Sequence, residues 1–361
     1  LGPQCNLSPP PLPDGITRGT LKSVSLPTAS YQTPVDGCQV FDQGKCAELR
    51  WAPVSDVQAG EFTAIEISLS DPNVMYAAVD SNDMSLYRSL DAGASWDLVH
   101  VAGHAAGLAI SPVNSSNAIY TNLETAVYQT LDTGITWGDV VGGVAGGENV
   151  RPWTAIAFSK DNPKTVYTAA LRGSSRGGIW PAEPADIFRS TDEGRTWKQV
   201  GTCALCSSVQ TIVVKEGDPD SIWVAADGGL LFSKDGGRTW SGNVISYLDE
   251  RVMEPRNFNR RKPPKVVGLA AQPGNPGIIL AASSEYGMFR STDEGTSWVR
   301  SNKGLTSSKL HRVQFSISNP NVAYVTTHDG VFRSDDSGES WTERNNGLLD
   351  KFVSPVAIDP T

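Results

Sequence analysis

Carboxylates beside a tyrosine or a histidine are the first residues of this 361-residue chain whose types and spacing suit chemistry. Glu285-Tyr286 and His328-Asp329 each sit in a short turn between two apolar runs, and Glu148 follows a glycine-rich stretch. Hydrolysis of a glycosidic bond needs two carboxyl groups facing each other across about 5–10 Å, one giving a proton and one acting as nucleophile or base. Asp80, Asp83, Glu183, Asp186 and Asp227 are further acids on comparable turns, and no spacing singles out a pair. His104 and His311 are isolated along the chain, so no metal centre and no cofactor is expected.

Anion binding is the second chemistry the residues permit. Between Ser241 and Lys265 lie Arg251, Arg256, Arg260, Arg261, Lys262 and Lys265, against Asp249, Glu250 and Glu254. Six minus three gives +3 within a chain of net charge -9. Guanidinium forks suit a uronate, a sulfate or a protein carboxylate; the alternative is a solvated loop with local ion pairs. Another insertion, Leu171 to Pro184, carries Arg172, Arg176 and Trp180. Trp180, between glycines and prolines, can stack on a sugar ring or anchor a protein partner, or it can cap its own loop. A net charge of -9 without a basic face argues against nucleic acid. No apolar run is long enough to span a bilayer, and no charged-then-apolar leader is visible.

What must position these residues is a repeat. The pattern Ser/Thr-x-Asp-x-Gly-x-x-Trp occurs six times, beginning at Ser89, Thr130, Ser190, Ser233, Ser291 and Ser334. Each copy follows apolar runs separated by turn residues. Val209–Val214, Ser221–Ala226 and Leu230–Ser233 read as three strands, and Trp240 opens a fourth. That is a four-stranded antiparallel meander with hairpin turns. A period of 40–50 residues identifies a repeat architecture. In the repeated turn, Asp91, Asp132, Asp192, Asp235, Asp293 and Asp335 are expected to bond backbone amides, and the glycine to take a left-handed conformation. Trp96, Trp137, Trp197, Trp240, Trp298 and Trp341 are expected to pack between sheets.

A degenerate seventh unit precedes these, with Cys38–Phe41 and Glu48–Val54 as its outer strands. The C-terminal stretch Phe352–Ile358 reads as a lone first strand. Pairing it with residues 16–55 would close a ring and remove open sheet edges. The sequence therefore predicts an all-β, seven-bladed β-propeller of four-stranded blades over residues 16–361, after an extended proline-rich leader at 1–15.

These octapeptides resemble the Asp-box (BNR) repeat of sialidases, sortilin-type receptors, xyloglucan-active hydrolases and photosystem II assembly factors. The resemblance covers nearly the whole chain and implies a β-propeller. It implies no single activity. The Arg-Ile-Pro element and arginine triad of sialidases are not matched, since the nearest stretch is Arg151-Pro152-Trp153.

Strand parity then separates two ends. Loops between second and third strands share an end with the loops between blades, and the repeated turns occupy the other end. Both long insertions, and the Cys203–Cys206 loop, fall on the end away from the repeated turns, and long loops on a rigid scaffold carry binding. Cys38 with Cys46, and Cys203 with Cys206, are candidate disulfides, Cys5 being left over; they point to an oxidising, extracytoplasmic setting. Two functions follow. One is a secreted, periplasmic or cell-surface scaffold holding a protein partner or glycan by its loop-rich end. The other is a glycoside hydrolase or polysaccharide lyase with its site in the central pocket of that end.

Overall fold

The computed structural model describes residues 38–41, 45–49, 61–80, 85–101, 103–123, 126–141, 153–171, 184–204, 206, 208–227, 229–241, 265–348 and 351–361. Among these, six sheets repeat one plan. Sheet one holds β3 (Glu61–Ile67), β4 (Met75–Asp80), β5 (Ser85–Ser89) and β6 (Asp97–Val101). Sheet two holds β7 (Ala105–Ser111), β8 (Asn114–Asn122), β9 (Val127–Thr130) and β10 (Gly138–Asp139). The third is β11 (Trp153–Phe158), β12 (Val166–Leu171), β13 (Ala185–Ser190) and β14 (Lys198–Cys203). The fourth is β15 (Val209–Lys215), β16 (Asp218–Ala226) and β17 (Gly229–Ser233), extended by a bridge from Phe232 to Ser241. The fifth is β18 (Val266–Gln272), β19 (Asn275–Ser283), β20 (Gly287–Ser291) and β21 (Val299–Arg300). The sixth is β22 (Leu310–Phe315), β23 (Ala323–Thr327), β24 (Gly330–Ser334) and β25 (Thr342–Glu343). Every sheet is an antiparallel meander in chain order.

The blade count differs from the sequence expectation. There are six blades, not seven. The hairpin β1 (Cys38–Phe41) and β2 (Lys45–Leu49) is a separate two-stranded sheet. Residues 352–361 form no ladder. They run extended beside the sixth blade, where Val353 N donates to Thr327 O at 3.3 Å and Thr326 Oγ1 donates to Ser354 O at 2.8 Å. Pro355 and Pro360 remove two amide donors from this stretch, which works against a two-sided ladder.

The first strand of each blade lines a central channel, and neighbouring blades press apolar faces together. Between blades three and four, for instance, Tyr167, Ile187, Val209, Ile212, Ile222, Val224 and Leu231 form one buried cluster. In blades two to six the tryptophan of the repeated turn faces the preceding blade: Trp197 joins Ile119 and Trp153 between blades two and three, and Trp298 joins Trp223 between four and five. Burying a side chain of this size accounts for a large share of blade cohesion.

The repeated turn is one hydrogen-bonded device built six times. In the copy at Ser190, the Ser190 hydroxyl donates to Asp192 Oδ1 at 2.7 Å and accepts from Gly194 N at 2.9 Å. The other side of the turn closes on the same carboxylate, through Thr196 N to Oδ1 at 2.8 Å and Thr196 Oγ1 to Oδ2 at 2.6 Å. Two successive residues are left-handed, Glu193 at φ 65° and Gly194 at φ 92°. The glycine is required by more than φ, because a Cβ there would run into Ile119 of blade two. In the last copy the acid differs from the sequence assignment. Asp336 accepts from Ser334 Oγ, Ser340 N and Ser340 Oγ, whereas Asp335 lies one residue early and pairs with Arg333 at 2.5 Å.

At four joints a clasp runs from one blade to the turn of the next. Arg88 Nη1 donates to Thr133 O at 2.6 Å, Gln129 Nε2 to Glu193 O at 2.8 Å, Trp223 Nε1 to Glu294 O at 3.2 Å and Arg290 Nε to Ser337 O at 2.9 Å. Each acceptor is the carbonyl of the first left-handed residue, which the turn points outward. Hydrogen bonding to that carbonyl ties the turn of one blade to the sheet of another.

Candidate functional site

Most of the insertions predicted to carry function lie outside the described residues. This applies to Arg172, Arg176, Trp180, Arg251, Arg256, Arg260, Arg261 and Glu148, and to the side chains of Cys38 and Cys46. For those two cysteines only the strand register is described, and it opposes Cys38 to Leu49 and Cys46 to Val40. The Cys203–Cys206 pair is a disulfide, with both residues fully buried between blades three and four.

Asp83, Glu183 and the side chain of Asp80 also lie outside the described residues, and the predicted acids that are described fall into two groups. Asp186 is buried and accepts from Thr202 Oγ1 at 2.7 Å, and Asp227 pairs with Lys265 at 3.1 Å. Both are engaged in holding loops. Glu285 and Asp329 are exposed at the tips of the fifth and sixth blades, on turns closed by Ser283 Oγ and Thr327 Oγ1. Tyr286 turns inward and packs against the cluster between blades four and five. Among the described residues no three His, Cys, Asp or Glu side chains come together as a metal site.

His328 is where the sequence candidates meet something they did not include. Its ring stacks on His311 at 4.8 Å between centroids, and Phe352 stands edge-on to both, 5.0 Å from His311 and 4.9 Å from His328. His328 is exposed, and Phe352 keeps 44% of its surface accessible. His311 is half-buried, and its Nε2 is buried without a hydrogen-bond partner among the described residues. Burial, then the neighbouring His328 and Arg312, push His311 below its ordinary pKa, so it is neutral at neutral pH.

Next to this trio, Arg312 enters the central channel. Its Nη1 donates to Thr211 Oγ1 at 2.9 Å and to the carbonyls of Gln210 and Val267 at 3.2 Å each. One side chain from blade six thus reaches the innermost strands of blades five and four. Strand register explains why it stands out. The corresponding position is Ala64, Gly107, Thr211 or Gly268, opposite the second-strand residues Ala78, Thr121, Ala225 and Ala282, and in blade three it is Ala155, the residue before Ile156. Inner strands crowd there: a Cβ on Gly107 would sit 2.6 Å from Thr154 O, and one on Gly268 3.0 Å from His311 O. Arginine in that column is a break in the repeat that was readable in the sequence and was overlooked.

The channel encloses a cavity of about 320 Å³, walled mainly by aliphatic residues of all six inner strands. Its polar wall includes Glu66, Gln314 and Arg312 of blades one and six, and Pro355, Val356 and Ile358 of the C-terminal stretch line it too. Glu66 is the other residue the sequence reading missed. Burial raises its pKa to about 7, a shift that Arg312 and Lys160 only partly offset. The trio adjoins the channel along blade six: Arg312 follows His311 in β22, and the channel-lining Pro355, Val356 and Ile358 follow Phe352, so the C-terminal stretch forms a seam leading from the rings to the cavity.

No family model and no curated protein matches the chain. Solved structures do. An ancestral GH74 enzyme superposes with a TM-score of 0.59 at 18% identity, covering 82% of this chain and 40% of that one. A structure of YCF48 bound to a D1 peptide gives 0.53 at 11% identity over 80% of this chain and 83% of that one. YCF48 from Cyanidioschyzon merolae gives 0.51 at 14%, over 80% and 86%. The chain is a β-propeller. At these identities the likeness speaks for the fold alone, and this propeller spans 40% of the length of the ancestral GH74 enzyme. Among the described residues no helix is long and apolar enough to cross a membrane.

Proposed function

We propose that this propeller is an extracytoplasmic binding protein, built on Asp-box repeats, that holds an extended segment of a partner protein against its loop-rich end. The observation that carries this reading is the exposed platform of His328 and Phe352, packed on His311, whose chain neighbour Arg312 lines the channel. Flat, partly exposed rings set in a rigid scaffold anchor partners well, because little side-chain freedom is lost on binding. The chain's own residues 353–358 already run extended along this seam, held by two hydrogen bonds near its start. A neighbour of comparable length has been solved with a peptide bound, whereas the GH74 neighbour is more than twice as long. Asp186 and Asp227 are committed to holding loops, which removes two of the acids a hydrolase reading could use. The buried Cys203–Cys206 disulfide supports an oxidising compartment.

A peptide array and a glycan array probed in parallel test the proposal. Wild-type protein is expected to bind a subset of peptides, with binding lost in H328A/F352A and kept in E285Q/D329N. Binding to glycans alone, or glycoside cleavage that E285Q/D329N abolishes, would overturn it in favour of a carbohydrate-active protein.

A further inference from the structure

The joint between blades three and four breaks a charge rule that two other joints keep. A third-strand arginine at a joint is neutralised by an acid at one of two repeat positions. At the joint of blades one and two that acid is Asp97, the residue after the repeated tryptophan, 3.5 Å from Arg88. At the joint of blades five and six it is Glu339, the sixth residue of the next blade's turn, 3.2 Å from Arg290. Between blades three and four the arginine is Arg189, and those two positions are Lys198 and Arg238. Both positions that carry an acid at one or other of those joints carry a cation here. No other joint has this set: the corresponding residues are Gln129, Gly138 and Arg195 between blades two and three, and Phe232, Ser241 and Thr296 between four and five.

The three cations line one groove, together with Thr191 and Gln199 and without an acid. Arg189 forms its floor. Its charge is met from below by Asp220, 2.6 Å from Nη1, and its guanidinium lies 5.5 Å from the centre of the Tyr167 ring. Its Nε is buried and without a hydrogen-bond acceptor among the described residues. Arg238 spends one nitrogen on Asp235 O at 3.0 Å. Lys198, Gln199 and Thr191 are exposed, and their side chains make no hydrogen bond to any described residue. Donors thus converge from the floor, from β14 and from the turn of the next blade, leaving the two charges of Lys198 and Arg238 uncompensated within the groove.

We propose that this groove binds a tetrahedral oxyanion, the group carried by sulfate and phosphate esters. A planar carboxylate offers acceptors in one plane, whereas sulfate or phosphate offers oxygens in the several directions from which these donors arrive. Lys198 supplies a point charge, Arg238 its remaining guanidinium edge, and Thr191 and Gln199 neutral donors. The groove lies on the repeated-turn end, away from the seam proposed to hold a protein segment, so the two readings stand or fall separately.

Titration followed by amide NMR of residues 189–199 and 234–240 tests the site. Inorganic sulfate and inorganic phosphate are added at ionic strength held constant with sodium chloride, which removes simple screening. Glucose 6-sulfate and glucose 6-phosphate form the second arm, and whichever ester binds more tightly identifies the source. Wild type is expected to show saturable shifts. K198A and R238A are each expected to weaken the affinity about tenfold, since a charge-assisted contact is of that order, and K198E/R238E should not saturate at all. Both side chains are exposed, so these variants should fold, and their unchanged spectra away from the groove verify it. Shifts of the same size in wild type and K198E/R238E, or no saturation in wild type, would overturn the proposal.

Discussion

The two ends of this propeller are built on opposite principles. At the repeated-turn end, six turns use the same Ser/Thr–Asp–Gly bonding, and at four joints a side chain of one blade bonds the same carbonyl of the next turn. At the loop-rich end the described blades differ more: blades five and six share a turn closed by a hydroxyl and an asparagine, but one inter-blade connection carries a disulfide, another turn an Asp–Lys pair, and blade six a His–His–Phe trio beside Arg312. Repetition is what a fold needs, because each blade must bury the same face against its neighbour. Deviation from the repeat is what a site needs, because a ligand meets one place. The basic groove obeys the same logic, since it is a joint where both positions that hold an acid at other joints hold a cation.

Several expected outcomes press on this difference, beginning with the largest. Trp298→Ala should cost about 3–5 kcal/mol in denaturant unfolding, because it opens a cavity between blades four and five. Loop-rich substitutions such as H328A should stay within about 0.5 kcal/mol. If the two cost the same, the division of labour is wrong. Arg312→Ala should cost about 2–3 kcal/mol, since it leaves Gln210 O, Thr211 Oγ1 and Val267 O short of a donor in the channel. Glu66 makes stability depend on pH with a definite sign. Its folded pKa of about 7 exceeds the ordinary 4.5, so the folded state holds the extra proton. Its contribution is complete below about pH 4.5 and is lost as pH rises towards 7, so E66Q should flatten the unfolding profile in that window. The smallest contrast is local. D336N should destabilise by about 1–2 kcal/mol by weakening the acceptor of three hydrogen bonds, while D335N, which loses only a surface pair with Arg333, should cost less than about 1 kcal/mol.

What could be read from the sequence follows the same division. The strands, the meander, the repeated turns and the assignment of loops to two ends rest on local rules of periodicity and turn chemistry, and those rules act six times over. Asp335 was misassigned because a doublet, Asp335-Asp336, follows Ser334, and only spacing from the serine distinguishes the two. The left-handed residue before each glycine is Ala92, Thr133, Glu193, Glu294 or Ser337 in five copies; residue type alone does not reveal such a conformation, because the following hydrogen bonds enforce it. The count of seven failed on a non-local property, whether the C-terminal stretch and the first hairpin share a sheet. Arg312 and Glu66 were legible in principle. Aligning the first strands of all blades shows small residues in the Arg312 column, so a long cation there is visible as an exception before any coordinate is known.

The central claim is that partner recognition lies at the loop-rich seam and not on the regular end. Peptides selected from a displayed library against the wild-type propeller provide the direct measurement, through their Kd for wild type, H328A/F352A and D335N. The account predicts that Kd rises at least about tenfold in H328A/F352A and is unchanged in D335N. Equal affinity for all three proteins would contradict it.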